Sequence, residues 1–196
     1  MRGLIRSWAA AAVTAVCVVA VVTACSDDEP PPTNTSTPSV SDTSTTTPAT
    51  IPTPTLPAAA KADKAGAEAF VRYFWDVFNY TYMSGDTKLL RSISDKDCKF
   101  CTSVATHVEG LTAKGSVTRG AQVTVHQVIA PPADPGDGFP VFTLVSQGAG
   151  EVIAKNGSVE ASSPAEARQR SDVRVQWVGD AWRMFGVSFG GPLGVP

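Results

Sequence analysis

The chain is predicted to fold as an α+β protein, with its N-terminal helices packed in the concave face of a curved antiparallel sheet. Three observations carry this expectation. Apolar residues recur at steps of three and four between residues 61 and 114. The period drops to two after Gly115. Turn-forming glycine, proline and asparagine residues then punctuate the remainder. Helices first and strands afterwards is the order of an α+β domain, not of alternating parallel units.

The first 24 residues read as an export leader. Arg2 and Arg6 make a positive start, and Trp8 to Val22 is an uncharged apolar run of fifteen residues. A permanent membrane span needs about 20, so removal is the better reading. Val22-Thr23-Ala24-Cys25 resembles a bacterial lipobox, in which the Cys25 thiol takes diacylglycerol and becomes the new N-terminus. Val22-x-Ala24 also fits an ordinary small-residue cleavage site. The lipobox is preferred because the cysteine directly follows the leader and precedes Ser26-Asp27-Asp28-Glu29 and a long polar tract. Two or three acyl chains hold a protein stably at a membrane, where one chain does so marginally.

Residues 25–60 form a Ser/Thr/Pro-rich tether. Pro30 to Pro57 holds eight prolines and fourteen Ser/Thr, so this stretch cannot bury enough apolar surface to offset the entropy of ordering it. A spacer lifting a domain away from the membrane is the plain expectation. Thr43 to Thr47 is also a candidate for O-linked sugar.

Residues 61–196 form the single folded domain. Its first helix, Lys61 to Ser84, carries Ala67, Phe70, Val71, Phe74, Val77, Phe78 and Tyr82 in helical register. Tyr73, Trp75 and Tyr80 widen the apolar surface to most of the circumference, which marks an enclosed helix. Gly85 stops it and Asp86 is the expected cap of a short second helix with Leu89, Leu90 and Ile93. Ser94-x-x-Asp97 resembles the start of a third, running to Lys114 with Phe100, Val104, Val108 and Leu111. Strand-like alternation follows in Val123, Val125 and Ile129, and again in Val141 to Ile153, with bulges expected at Gly148 and Gly150. Asn156-Gly157 is a hairpin turn. Val173, Val175 and Trp177 alternate with Asp172, Arg174 and Gln176 before Gly179-Asp180 turns the chain into Ala181 to Phe189.

Lys/Arg and Asp/Glu are equal in number from Lys61 onward. A neutral domain has no long-range field to gather nucleic acid. No nucleic acid, cofactor or metal is expected.

Phe70-Val71-Arg72-Tyr73-Phe74, Asn79-Tyr80, Gly85-Asp86, Asp97-Cys98-x-x-Cys101, Lys114-Gly115 and Trp182-Arg183 resemble an uncharacterised actinobacterial lipoprotein family with a nuclear-transport-factor-2-like domain, a cone of helices inside a bent sheet. The resemblance spans roughly Lys61 to Phe189. It implies a fold and an extracytoplasmic, membrane-anchored address, and no activity.

Several motifs bear on chemistry. Cys98 and Cys101 stand at i and i+3 in the first turn of a helix, where their sulfurs can meet. Export favours a structural disulfide. A redox dithiol would gain from the helix N-terminus but lacks the preceding βαβ pattern. Zinc is opposed by His107, which lies about 180° and 120° around the helix from the two cysteines. Gly186-x-Ser188-x-Gly190 matches the nucleophile-elbow letters, yet strand-like residues carry it and no His or acid follows. Tyr73, Asp76, Tyr80 and Tyr82 are the candidate pocket residues, since enzymes of the cone fold often use a carboxylate and tyrosines there. Core packing and solvated hydroxyls are the plainer account of the same residues. Arg168, Arg170 and Arg174 share strand parity and form a basic row, either solvated or facing an anionic envelope component.

The functional expectation is a non-catalytic cell-envelope lipoprotein that binds or scaffolds a partner. An envelope protein, a wall polymer or a small apolar ligand would suit it. The alternative is a small cyclase-, isomerase- or dehydratase-like enzyme using Asp76 and tyrosines.

Overall fold

Polar punctuation and apolar spacing partition the chain into three helices and seven strands among the residues that the structure, a computed structural model, describes: 51–57, 61–133 and 138–190. The leader, Cys25 and most of the tether lie outside the described residues. So do residues 134–137 and 191–196.

Helix α1 (Lys64–Ser84) begins later than apolar spacing alone suggests, because Asp63 caps it by accepting the Gly66 N–H at 2.7 Å. It ends at Gly85, whose left-handed backbone (φ 74°) returns an N–H to the Thr81 carbonyl. Helix α2 (Lys88–Ile93) is capped at Thr87; Asp86 only accepts the Lys88 N–H at 2.9 Å. Helix α3 (Lys99–Lys114) starts at Cys98, not in Ser94-x-x-Asp97. Those residues instead dock on the sheet: Ser94 bridges Met184, and the Asp95 N–H bonds the Met184 carbonyl at 2.8 Å.

The strands are β1 (Val117–Gly120), β2 (Val123–Ile129), β3 (Phe139–Gln147), β4 (Gly150–Ile153), β5 (Val159–Ser163), β6 (Glu166–Val178) and β7 (Ala181–Phe189). They form two antiparallel sheets, β2-β3-β6-β7 and β1-β4-β5, where one curved sheet was expected. The run from Val141 to Ile153 is therefore divided between them. The ladder turns a corner without breaking: Ala121 N–H bonds the Ala149 carbonyl at 2.8 Å, and Gly148 N–H bonds the Gln122 carbonyl at 2.9 Å.

A register shift between Val125 and Gln127 moves the inward position at the end of β2 from Ile129 to Val128. Val128 is buried, while Ile129 is 44% exposed. Simple alternation fails there because a bulge adds one residue and flips every later side chain.

The core is aromatic. Phe70, Phe74, Trp75 and Phe78 of α1 are buried with Val141, Val173, Val175 and Met184 in one cluster. Phe74 meets Trp75 edge-on at 5.4 Å, and Phe78 stacks on Phe100 at 6.0 Å. At the other end of α1, Phe70 stacks on Trp182, which Phe139 and Trp177 meet edge-on. Trp182 also donates its indole N–H to the Lys61 carbonyl at 2.9 Å. The helices thus fill the concave side, as the all-round apolar character of α1 requires.

Two polar side chains fasten α1 to the β2 edge. Asn79 imitates a strand residue, accepting the Val123 N–H at 2.8 Å and donating to the Val123 carbonyl at 2.9 Å. Glu68 accepts the Ala130 N–H at 2.9 Å and Lys64 Nζ at 2.7 Å. Burial pushes the Glu68 carboxyl up, but those hydrogen bonds and the nearby cations outweigh it and hold the carboxyl below its ordinary value. A depressed folded value means that stability is fully present above the ordinary glutamate range and is lost as pH falls through the depressed value. Glu68→Gln should therefore flatten the acid side of the stability profile below about pH 5, measured as melting temperature against pH. An acid limb of unchanged slope would show that Glu68 does not clamp α1.

Candidate functional site

A long helix that is apolar nearly all round points its polar groups in several directions, and this decides the fate of the four pocket candidates. Tyr73 is buried in the core cluster. Asp76 is exposed. Tyr80 is half-buried on the same side, and Tyr82 lies roughly 180° around the helix from Tyr73. Burial pushes the Tyr73 and Tyr82 hydroxyls above their ordinary values, and partial desolvation by the neighbouring core raises the Asp76 carboxyl, although the residue as a whole is exposed. The four do not converge. The expected carboxylate–tyrosine pocket is corrected accordingly: the space it needs is filled by Phe74, Trp75, Phe78 and Phe100.

Of the four, Tyr82 lines a hollow. The cleft lies between the C-terminal end of α1, α3 and the β1-β4-β5 sheet, with a volume of about 240 Å³. Tyr82, His107, Thr118, Gln147, Glu151 and Ser162 contribute to its walls. The Tyr82 ring sits 4.9 Å from Phe78 and 6.1 Å from His107. Gln147 is held by donating to the Ala121 carbonyl at 3.0 Å, at the corner between the sheets. A smaller hollow of about 140 Å³ continues past Tyr82 to Gly85, Leu111 and Ser116. Ser116 donates to Glu160 at 3.0 Å and so ties the end of α3 to β5. The cleft offers a half-buried phenol, an imidazole and an amide for hydrogen bonding. Thr118 and Glu151 were missed from sequence because their position depends on the pairing of β1 with β4, across 30 or so residues of chain, and Gln147 because it is placed by the pairing of β3 with β2.

Cys98 and Cys101 form a disulfide with Cα atoms 5.3 Å apart. Both are buried, at 0% and 3% exposure. An attacking thiolate needs access to sulfur, and this burial denies it. Cys98 Sγ also takes the place of a capping oxygen, accepting the Cys101 N–H at 3.3 Å. Among the described residues no group of three or more His, Cys, Asp or Glu side chains is arranged to hold a metal. His126, exposed on β2, pairs with Ser146 at 2.8 Å. Ser188 lies within β7, its hydroxyl directed to the Asp172 carbonyl at 3.4 Å.

Fold and site together define an α+β protein with helices packed on antiparallel sheets and a small cleft beside Tyr82. The chain belongs to the family of unknown function DUF6318, whose profile matches residues 40–188. No curated protein matches the chain. Among solved structures it is similar to the intermembrane space region of the chloroplast protein ARC6, at 12% identity over 65% of this chain and 95% of that one, with a TM-score of 0.44. It is also similar to Aln2 from a Streptomyces species, at 13% identity over 69% and 93% with a TM-score of 0.41. A third likeness is to an uncharacterised protein with a cystatin-like fold from Caulobacter vibrioides, at 13% identity over 62% and 88% with a TM-score of 0.39.

Proposed function

We propose that the chain is an envelope lipoprotein whose folded domain is a non-catalytic binding module, held outside the membrane through acylated Cys25 and a Ser/Thr/Pro-rich tether. The observation that carries the binding reading is the filled concave side. Phe74, Trp75 and Phe78 occupy the space in which a cone-shaped enzyme would hold its substrate, so recognition falls to the outer surfaces. The same packing argues against a small apolar ligand inside the domain. The address rests on the leader, on Val22-Thr23-Ala24-Cys25 and on the tract after it. Among the described residues no helix is long and apolar enough to cross a membrane.

Detergent phase partitioning tests the anchor. The intact protein should enter the detergent-rich phase, and Cys25→Ala should either release it to the aqueous phase and medium or leave an uncleaved precursor. Identical partitioning of mature protein from both would remove the lipid anchor.

A further inference from the structure

We infer that β5 is a docking edge for an extended segment of another polypeptide, which adds as a strand beside β5 and sets one uncharged side chain into the Tyr82–His107 cleft. The inference deepens the binding-module reading and rests on it.

The last strand of a sheet carries main-chain donors and acceptors on its outer side, and these can bond a further strand. The other sheet ends here carry cover, in whole or in part. Helix α1 lies along β1 and β2, and its Asn79 and Glu68 take up main-chain groups of Val123 and Ala130. The segment before α3 covers β7, through the bridge from Ser94 to Met184 and the Asp95 N–H on the Met184 carbonyl. Strand β5 differs. It pairs with β4 on one side, and no described helix or strand lies along the other. All five of its residues, Val159–Ser163, are exposed. It also lacks the lysines and prolines that discourage pairing at an edge. Its one charge, Glu160, is drawn back across β4 to Ser116 at 3.0 Å.

The same strand forms a wall of the cleft. Thr118, Val152 and Ala161 stand side by side across β1, β4 and β5, and all three line it. Ser162 joins them, and Tyr82 of α1 and His107 of α3 supply the facing wall. A strand laid along β5 would pass beside this hollow, with every second side chain on the helix side of the sheet. Main-chain bonds would give affinity and the cleft selectivity, which is how strand addition divides the work.

Size and charge select the occupant. At about 240 Å³ the cleft is smaller than the pockets of about 300–1,000 Å³ that enclose a free small molecule, so a single anchoring side chain suits it better. Glu151 is the one carboxylate in the lining and stands opposite Arg119 in the β1–β4 ladder, so no unbalanced charge calls for a charged guest. A second copy of this chain fits less well. After Ser163 the chain passes through Pro164 into β6 and the other sheet, so two rigid copies could pair along five residues only. A stable interface between folded proteins takes about 20–30 residues a side. A flexible segment has no such requirement, because it bonds the edge residue by residue and gains its anchor in the cleft.

The test uses the full-length protein in neutral detergent micelles and a phage-displayed library of random nonapeptides. The most enriched peptide is synthesised and titrated calorimetrically, and it should slow amide hydrogen exchange across Val159–Ser163. Two substitutions read the two halves of the site. Ser162→Pro puts on the edge a residue without an N–H, and Ala161→Phe fills the cleft from an exposed position. Each should weaken peptide binding at least about tenfold, equivalent to about 1.4 kcal/mol, and Ala161→Phe should leave the melting temperature unchanged. Affinity untouched by Ala161→Phe would overturn the proposal, whatever Ser162→Pro does to folding. Sedimentation showing a dimer that Ser162→Pro dissolves would overturn it too, by giving the edge to a second copy. A peptide that protects other amides would remove this site and leave the binding-module reading intact, whereas a library yielding no binder would count against both. The Cys25 partitioning experiment decides the anchor separately.

Discussion

Phe74→Ala should cost about 3–5 kcal/mol of stability, the range for removing a large buried aromatic side chain. Phe74 is fully buried and central to α1. Trp75 lies edge-on to it at 5.4 Å, and Phe100 sits 6.4 Å away on α3. The cost depends on whether neighbours can collapse into the space. Here they are restrained. Asp63 caps one end of α1, Asn79 is bonded twice to Val123, and Trp182 is tied to the Lys61 carbonyl. A helix fixed at three points cannot settle by the width of a ring. Denaturant unfolding would read the loss directly, with Tyr80→Ala, at a half-buried position on the same helix, as the comparison. If Phe74→Ala cost no more than Tyr80→Ala, the helix would not be the plug of the concave side, and the case for surface recognition would lose its foundation.

What could be read from sequence here was local, and what could not was set by pairing between distant segments. The spacing of Ala67, Phe70, Val71, Phe74 and Val77 specified an enclosed helix, and these side chains are buried. Gly115 stops α3 in the left-handed region, and Gly179-Asp180 turns β6 into β7 with both residues at positive φ. Strict alternation from Asp172 to Trp177 gave the inner and outer faces of β6. Failures fall where a neighbour in space overrides the neighbour in sequence. Cys98 begins α3 because its sulfur is fixed by Cys101 and can accept a backbone N–H. A pattern of Ser and Asp could not signal that. Val128 replaces Ile129 in the core because a bulge, visible only once β2 pairs with β3, shifts parity. The candidate pocket failed for a related reason. An all-round apolar helix has no sequence mark for which flank faces solvent, so Asp76 and Tyr82 could be assigned to one site only by assumption.

The corner between the sheets sets the second large effect: Gly150→Val should destabilise the protein by about 3 kcal/mol or more, at the upper end of overpacking. Gly120 and Gly150 face each other in the β1–β4 ladder. A Cβ on Gly150 would lie 2.4 Å from the Ala121 Cβ and 3.1 Å from its backbone. Relief by movement of Ala121 is blocked, because that residue is itself at positive φ (57°) and its N–H is bonded to Ala149. Gly120 has no slack either; a Cβ there would meet the Ala149 carbonyl oxygen at 2.3 Å. The chain must therefore part at the crossing, breaking the hydrogen bonds that carry the ladder around the corner. Gln147 and Glu151 flank that crossing and line the Tyr82 cleft. Separation of the strands would shift the cleft wall, so Gly150→Val should alter Tyr82 fluorescence or ring-proton shifts even under conditions where the variant stays folded. Gly148→Ala is the matched control, since the nearest atom to an added Cβ is 3.8 Å away. Equal losses from the two substitutions would mean that close approach at the corner is not what holds the two sheets in register.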